Sequence, residues 1–93
     1  MARNHTANAA KARFLQLSVG GTVRGYRQRL KLTHEQLAER AGLHRTYVAD
    51  IERGARNLTL RSLVALADAL NVTPASLLDR PRHELRDGAE ESE

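Results

Sequence analysis

Two short helix patterns separated by a single glycine, between Thr33 and Gly54, constrain the fold of this chain more than any other feature. The first begins at a capping box, in which the Thr33 hydroxyl accepts from the Gln36 amide while the Gln36 side chain returns to the Thr33 amide. Gly42 stands about eight residues further on, where a left-handed residue ends a helix. The second pattern begins near His44 and ends before Gly54, so a tight turn must join the two helices.

The apolar positions predict how these two helices pack. Leu37 and Ala38 form the buried face of the first, with Ala38 at the closest approach, where a larger side chain would push the helices apart. Val48 and Ile51, three residues apart, form the buried face of the second. This spacing is the helix-turn-helix pattern, whose second helix lies in the major groove of DNA. We therefore predict a recognition helix from about His44 to Glu52.

Apolar periodicity predicts three further helices. A first helix over 18–31 carries four apolar side chains at spacings of three and four: Val19, Val23, Tyr26 and Leu30. Three glycines inside it should each weaken it by roughly 1 kcal/mol relative to alanine: Gly20, Gly21 and Gly25. A fourth helix runs from Leu60 to near Asn71 behind the Thr59 cap, and a fifth over Pro74–Asp79 behind Thr73.

The sequence thus predicts an all-α fold, a compact bundle of five helices. Residues 1–17 are polar and alanine-rich and are interpreted as a flexible basic arm or a frayed helix. Residues 18–80 form the helix-turn-helix domain. Residues 81–93 are charged and almost without apolar side chains, so they are expected to be a disordered acidic tail.

Charge is divided along the chain in a way that favours a polyanionic partner. Residues 1–83 hold 14 Lys/Arg against 6 Asp/Glu, a balance of +8, whereas residues 84–93 hold one Arg against 5 acids, a balance of −4. No acidic residue precedes Glu35. Because only basic groups spaced to meet phosphates turn charge into affinity, charge alone does not identify nucleic acid as the partner.

Several function classes are excluded by composition and spacing. Without cysteine the chain cannot form disulfides, cysteine zinc sites or a thiol nucleophile. The four histidines lack metal-ligand spacing and no phosphate loop or nucleophile motif is present, so neither an enzyme, a metal, a cofactor nor a small-molecule ligand is expected. No window approaches the roughly 18 apolar residues of a membrane span, and no secretory signal is evident, which predicts a cytoplasmic protein without membrane contact.

The run from Gly42 to Gly54, GLHRTYVADIERG, followed by Arg56, Asn57 and Thr59 and the Leu60–Leu70 stripe, resembles a known family. It is similar to the phage-repressor type of helix-turn-helix domain, also called lambda-repressor-like or Xre-like, and most of all to the controller proteins of bacterial restriction-modification systems. The resemblance covers residues from about 18 to 79. It implies a homodimer that binds a palindromic double-stranded DNA operator and regulates transcription from its own promoter, with RNA polymerase as a candidate further partner.

The resemblance also implies which residues meet DNA. The base-reading positions are His44, Arg45, Thr46, Ala49 and Asp50. Arg45 is the strongest candidate because a guanidinium can bond both O6 and N7 of guanine. Some controllers carry serine at the position of Ala49, so any polar contact there is lost. Asp50 is tolerated near bases only if it accepts from a cytosine amino group or pairs with a neighbouring arginine.

Further residues are assigned to the DNA backbone and to structure. The candidate phosphate contacts are His34, at the start of the second helix, Tyr47, and the loop residues Arg56, Asn57 and Thr59. Tyr47 could instead pack against the adjacent helix, and Thr59 is also a helix cap. The resemblance implies a structural ion pair between Arg27 and Glu52. It also implies a dimer interface formed by an apolar patch: Leu70, Val72, Leu77 and Leu78, some of which must also cap the core of one copy.

Two other functions stay open at the level of sequence. An antitoxin of the same fold would neutralise a protein toxin and bind DNA secondarily. Sequence-independent binding of RNA or DNA through the basic arm is less favoured, because Phe14, Tyr26 and Tyr47 are too few aromatic residues for a stacking platform.

Overall fold

The computed structural model describes residues 2–79, with side chains from residue 7 onward, and within this range the chain is all-helical. Its five helices are α1 (Ala2–Arg29), α2 (His34–Ala41), α3 (Arg45–Glu52), α4 (Leu60–Leu70) and α5 (Pro74–Leu78). The predicted all-α fold of five helices is confirmed. The predicted tail, residues 81–93, lies outside the described residues.

The first helix differs from its prediction at both ends. It begins at Ala2 and not near Ser18, so residues 2–17 continue α1 as regular helix. Their alanine-rich sequence has high intrinsic helix propensity and lacks glycine and proline. At the other end α1 stops at Arg29 and not at 31, because Lys31 takes a left-handed conformation with φ of 60°.

Local capping sets the ends of the shorter helices. The Thr33 capping box is formed: the Gln36 amide donates to Thr33 Oγ1 at 3.0 Å, and the Thr33 amide donates to Gln36 Oε1 at 2.8 Å. Thr59 and Thr73 cap α4 and α5 in the same way, through the Ser62 and Ser76 amides. α3 and α5 each prove one residue shorter than predicted, since His44 is the N-cap of α3 and Asp79 the C-cap of α5.

All five helices contribute to one buried core, which packs α1 and α2 against α3 and α4. Its members are Val19, Val23, Leu32, Leu37, Ala38, Val48, Ile51, Leu63, Leu66, Ala67, Leu70 and Leu77. Three members of the predicted helical stripes lie outside it: Leu30 is 45% exposed, Leu60 is 80% exposed, and Tyr26 is half-buried against the core. Within the described residues, no helix has both the length and the apolar character needed to cross a membrane.

Candidate nucleic-acid interface

α2 and α3 are held to one another by the turn and by buried side chains. Gly42 adopts φ of 69°, a left-handed conformation that glycine takes without steric cost, and the amide of Leu43 donates to the Ala38 carbonyl at 2.9 Å. Ala38, Val48 and Ile51 are all buried, the last two on the inner face of α3. The outer face of α3 is consequently presented to solvent in a fixed orientation.

The exposed N-terminal end of α3 carries the strongest base-reading candidates. His44 is the N-cap and makes no side-chain capping hydrogen bond. Arg45 and Thr46 follow it and are exposed. Arg45 has no hydrogen bond or ion pair with any residue that the structure describes, so its guanidinium is available to a ligand. Ala49, one turn further on, is half-buried and offers only a methyl group.

Asp50 is already paired within the protein. Its carboxylate accepts from the Arg53 guanidinium, and from Arg56 Nη2 at 3.4 Å. Its side chain is 17% exposed, against 51% for Arg56. The pairing is the second of the two conditions under which an acidic residue is tolerated beside DNA, because the arginines compensate its charge.

Two side chains orient Arg56, which lies in the middle of the loop between α3 and α4. Its guanidinium lies over the Tyr47 ring, 5.2 Å from the centroid, in addition to its contact with Asp50. Stacking on an aromatic face and pairing with a carboxylate both restrict the rotamers of a long side chain. Arg56 is therefore oriented before any ligand arrives, while its outer surface stays accessible.

Tyr47 and Thr59 are engaged with α4. The Tyr47 hydroxyl donates to Ser62 Oγ at 3.0 Å, and the Thr59 hydroxyl donates to the same oxygen at 3.0 Å. Ser62, which the sequence interpretation missed, thus joins α3 to the cap of α4. Its signal was its place three residues after the Thr59 cap, where a capping side chain meets its partner. Asn57 is exposed in the same loop.

Glu52 joins α3 to the first two helices. Arg27 Nε donates to Glu52 Oε2 at 2.6 Å and Arg27 Nη2 donates to Oε1 at 3.1 Å, a two-point pair that leaves the Glu52 side chain 4% exposed. Arg27 Nη1 also donates to the Leu32 carbonyl at 2.7 Å. His34 Nε2 lies 2.9 Å from Glu52 Oε1. The His34 ring thus contacts Glu52 through Nε2 while its side chain stays 42% exposed, and its backbone amide lies in the first turn of α2.

The residues assigned to a dimer interface do not share one surface. Leu70 and Leu77 are buried in the core of the single chain, at 3% and 0% exposure, which corrects their assignment. Val72 is half-buried, and Leu78 is 41% exposed. The helical stripe of α4 places Leu70 on the inner face, and sequence periodicity cannot distinguish a core leucine from an interface leucine.

The described residues hold no group of three or more His, Asp or Glu side chains that could bind a metal ion. The candidate interface instead consists of α3, its loop to α4 and the first turn of α2, with Arg45 as an exposed arginine on α3 and Arg56 as an exposed arginine in the loop. Polar side chains that can bond to base edges lie at the N-terminal end of α3, and the oriented Arg56 lies beyond its C-terminal end. This arrangement fits a duplex, with α3 in a groove and the loop beside a phosphate strand.

Comparisons with known proteins agree with this geometry. The helix-turn-helix family model HTH_3 matches residues 23–77. The control protein C.SmaI of Serratia marcescens is 53% identical over 58 residues, which cover 62% of this chain and 69% of that protein.

Solved structures give the same relationship. The restriction-modification controller protein C.AhdI of Aeromonas hydrophila matches with a TM-score of 0.66 and 39% identity, over 67% of this chain and 94% of that one. The controller protein C.Esp1396I, crystallised as a tetramer with its natural 35 base-pair operator, matches with a TM-score of 0.64 and 36% identity, over 69% of this chain and 84% of that one.

Proposed function

This chain belongs to the HTH_3 helix-turn-helix family as a DNA-binding transcriptional regulator of the restriction-modification controller type, and from that premise we propose that it binds a palindromic operator as a homodimer. Each copy places α3 in the major groove. Two-fold symmetry then sets the two α3 helices one DNA turn apart, roughly 34 Å. The operator lies at the protein's own promoter, so that the protein regulates its own synthesis. The operator-bound tetramer of C.Esp1396I supports assembly of such proteins on DNA.

Arg45 is the observation that carries the base-reading part of this proposal. It is exposed at the first position of α3 and has no hydrogen bond or ion pair with the described residues, on a helix whose opposite face is buried through Val48 and Ile51. It bonds guanine through O6 and N7. Thr46 beside it offers a hydroxyl and a methyl group, and His44 offers a ring nitrogen. The methyl group of Ala49 meets the thymine methyl.

The backbone contacts come from the ends of the helix-turn-helix. Arg56, which Asp50 and Tyr47 hold, reaches a phosphate together with Asn57. The first-turn amides of α2, at His34, face a second phosphate along the helix dipole. Tyr47 and Thr59 contribute by holding the loop against Ser62.

Arg45→Ala is expected to weaken binding to the best operator by about 1–3 kcal/mol and to relax the preference at one base pair. Guanine would lose both hydrogen bonds while every phosphate contact remains. The measurement is fluorescence anisotropy with DNA from upstream of the protein's own gene and with single base-pair variants of it.

Arg56→Ala is the comparison for that experiment. Removing a phosphate contact should weaken binding about equally on all sequences and reduce the slope of log affinity against log salt by about 1. Equal weakening of Arg45→Ala on all sequences would contradict its base-reading role. A toxin gene beside this gene, with no methyltransferase or endonuclease gene nearby, would contradict the controller role.

Because Leu70 and Leu77 are buried in the core, we propose that the homodimer forms through a different surface. Three exposed side chains lie around a groove of about 360 Å³ between α1, the α3–α4 loop and α5: Leu15, Leu60 and Leu78. A two-fold interface requires a surface complementary to itself. Leu60 is the most exposed large apolar side chain of the described residues and stands at the rim of this groove, so Leu60 of each copy packs against Leu15 and Leu78 of the other.

Leu60→Gln is expected to weaken dimerisation in the absence of DNA by about tenfold or more, because the amide would be buried without a partner. Sedimentation velocity over a concentration series measures this. Leu30→Gln is the matched control, since Leu30 is also an exposed leucine but directly follows α1 and does not line the groove. If both variants dimerise as the unmodified protein does, the second copy docks elsewhere.

A further inference from the structure

The carbonyl of Gly54, two residues beyond the end of the recognition helix α3, is held by two side chains from the middle of α1. Arg13 Nη1 donates to the Gly54 carbonyl, and Gln16 Nε2 donates to the same oxygen at 3.0 Å. Gly54 is buried and adopts φ of 71°, directly against Leu17. Contacts from α1 therefore fix the position of the backbone at Gly54, where the chain continues from α3 into the loop.

The contact is also electrostatically favourable. The carbonyl groups at the end of a helix carry partial negative charge, which a cation in the last turn stabilises. α3 has no basic residue in its own last turn. The guanidinium of the next residue, Arg53, is paired with Asp50. Arg13, bound to the Gly54 carbonyl two residues beyond Glu52, brings from α1 a positive charge close to this end of α3.

Gly54 begins the segment that carries Arg56 and Asn57. Between α3 and α4 this loop has no regular secondary structure, and the Ala55 amide donates to the Asp50 carbonyl at 2.8 Å. On the side of α3 the loop is held by Asp50 and Tyr47. On the opposite side it is held by Arg13 and Gln16, both of which precede residue 23, where the family match begins.

We propose that Arg13 and Gln16 are positioning residues for operator binding. By holding the Gly54 carbonyl they fix the α3–α4 loop where Arg56 meets a phosphate, and they do so without touching DNA. This inference rests on the proposed function. Because a loop ordered in advance loses less conformational entropy on binding, the gain appears as operator affinity.

Arg13→Leu and Gln16→Leu test the proposal in the full-length chain, each with a control that makes the same chemical change elsewhere on α1. Lys11→Leu removes one positive charge, as Arg13→Leu does, and Gln28→Leu removes one amide, as Gln16→Leu does; Lys11 and Gln28 are both exposed. We expect about tenfold weaker operator binding for Arg13→Leu and about threefold for Gln16→Leu. Binding is measured well below the unfolding midpoint of each variant.

A double-mutant cycle separates positioning from general destabilisation. If Arg13 acts through the loop, Arg56→Ala costs little more once Arg13 is leucine, whereas Arg45→Ala costs its full factor in either background. Additive effects of Arg13→Leu and Arg56→Ala would overturn the proposal, as would an operator affinity of Arg13→Leu equal to that of Lys11→Leu. Weak binding by Arg13→Leu with unchanged binding by Gln16→Leu would instead identify Arg13 as a direct phosphate contact. Failure of the unmodified protein to bind any operator would reject the proposed function itself.

Discussion

Replacing Glu52 with alanine is expected to lower the free energy of unfolding by about 3–5 kcal/mol, because it leaves a buried arginine without its counter-ion. The Glu52 side chain is 4% exposed and the Arg27 side chain is 11% exposed, so water cannot easily replace the lost carboxylate. The same change removes the partner of His34 and with it the contact that ties α3 to the start of α2. Urea unfolding followed by circular dichroism measures the loss.

Two further variants show whether the loss comes from the unpaired charge. Glu39→Ala removes an exposed carboxylate from α2 and should change stability by less than about 0.5 kcal/mol. Replacing both partners, Arg27→Met with Glu52→Leu, should recover most of the stability, since no buried charge remains. A Glu52→Ala protein as stable as the Glu39→Ala protein would mean that the pair contributes nothing to the fold.

Gly20→Ala is expected to destabilise the protein by about 1–3 kcal/mol, although alanine is the better helix former. A Cβ atom at this position would collide with the Ile51 carbonyl oxygen and lie 2.7 Å from that of Glu52. Both are backbone atoms of α3 and cannot rotate away. α1 and α3 would have to separate, so we also expect weaker operator binding.

Gly21→Ala and Gly25→Ala are the matched controls on the same helix. A Cβ atom at either position meets nothing within 4 Å, so each change should raise stability by about 0.5–1 kcal/mol through helix propensity alone. Thermal unfolding of the three variants decides the matter. If all three are stabilised, the close approach of α1 to α3 is not as tight as the structure has it.

From the sequence we predict the same effect for all three glycines, a weaker first helix. The structure separates them, for a reason that limits prediction from sequence in general. Their shared effect, a weaker α1, depends on backbone entropy and is local. The difference between Gly20 and Gly21 depends on Ile51 and Glu52 of α3, which are distant in the sequence and lie against one side of α1 only. The same limit applies to Ser62, whose hydroxyl joins Tyr47 to Thr59 only after α3 and α4 have packed.

Apolar periodicity had the same limit in the dimer prediction. The leucines of α4 and α5 follow a helical pattern, which predicts that they are buried. The pattern does not tell whether their own chain or a second copy buries them. Packing of α5 against α1 and α4 places Leu77 at 0% exposure, whereas Leu60, on the outer side of α4, stays 80% exposed. Only the folded chain distinguishes these two environments.

What the sequence by itself determined were the features fixed by interactions within a few residues: the Thr33 capping box, the left-handed Gly42, the ends of α2 and α4, and the apolar spacing that makes α2 and α3 a helix-turn-helix. Only the tertiary structure decided which groups these helices bring together: Arg56 against Tyr47 and Asp50, His34 against Glu52, and the Gly54 carbonyl against Arg13 and Gln16. The physical reason is the separation along the sequence of the residues that interact. Helix caps and apolar periodicity depend on residues a few positions apart, whereas the placement of a loop between helices depends on side chains that are distant in the sequence.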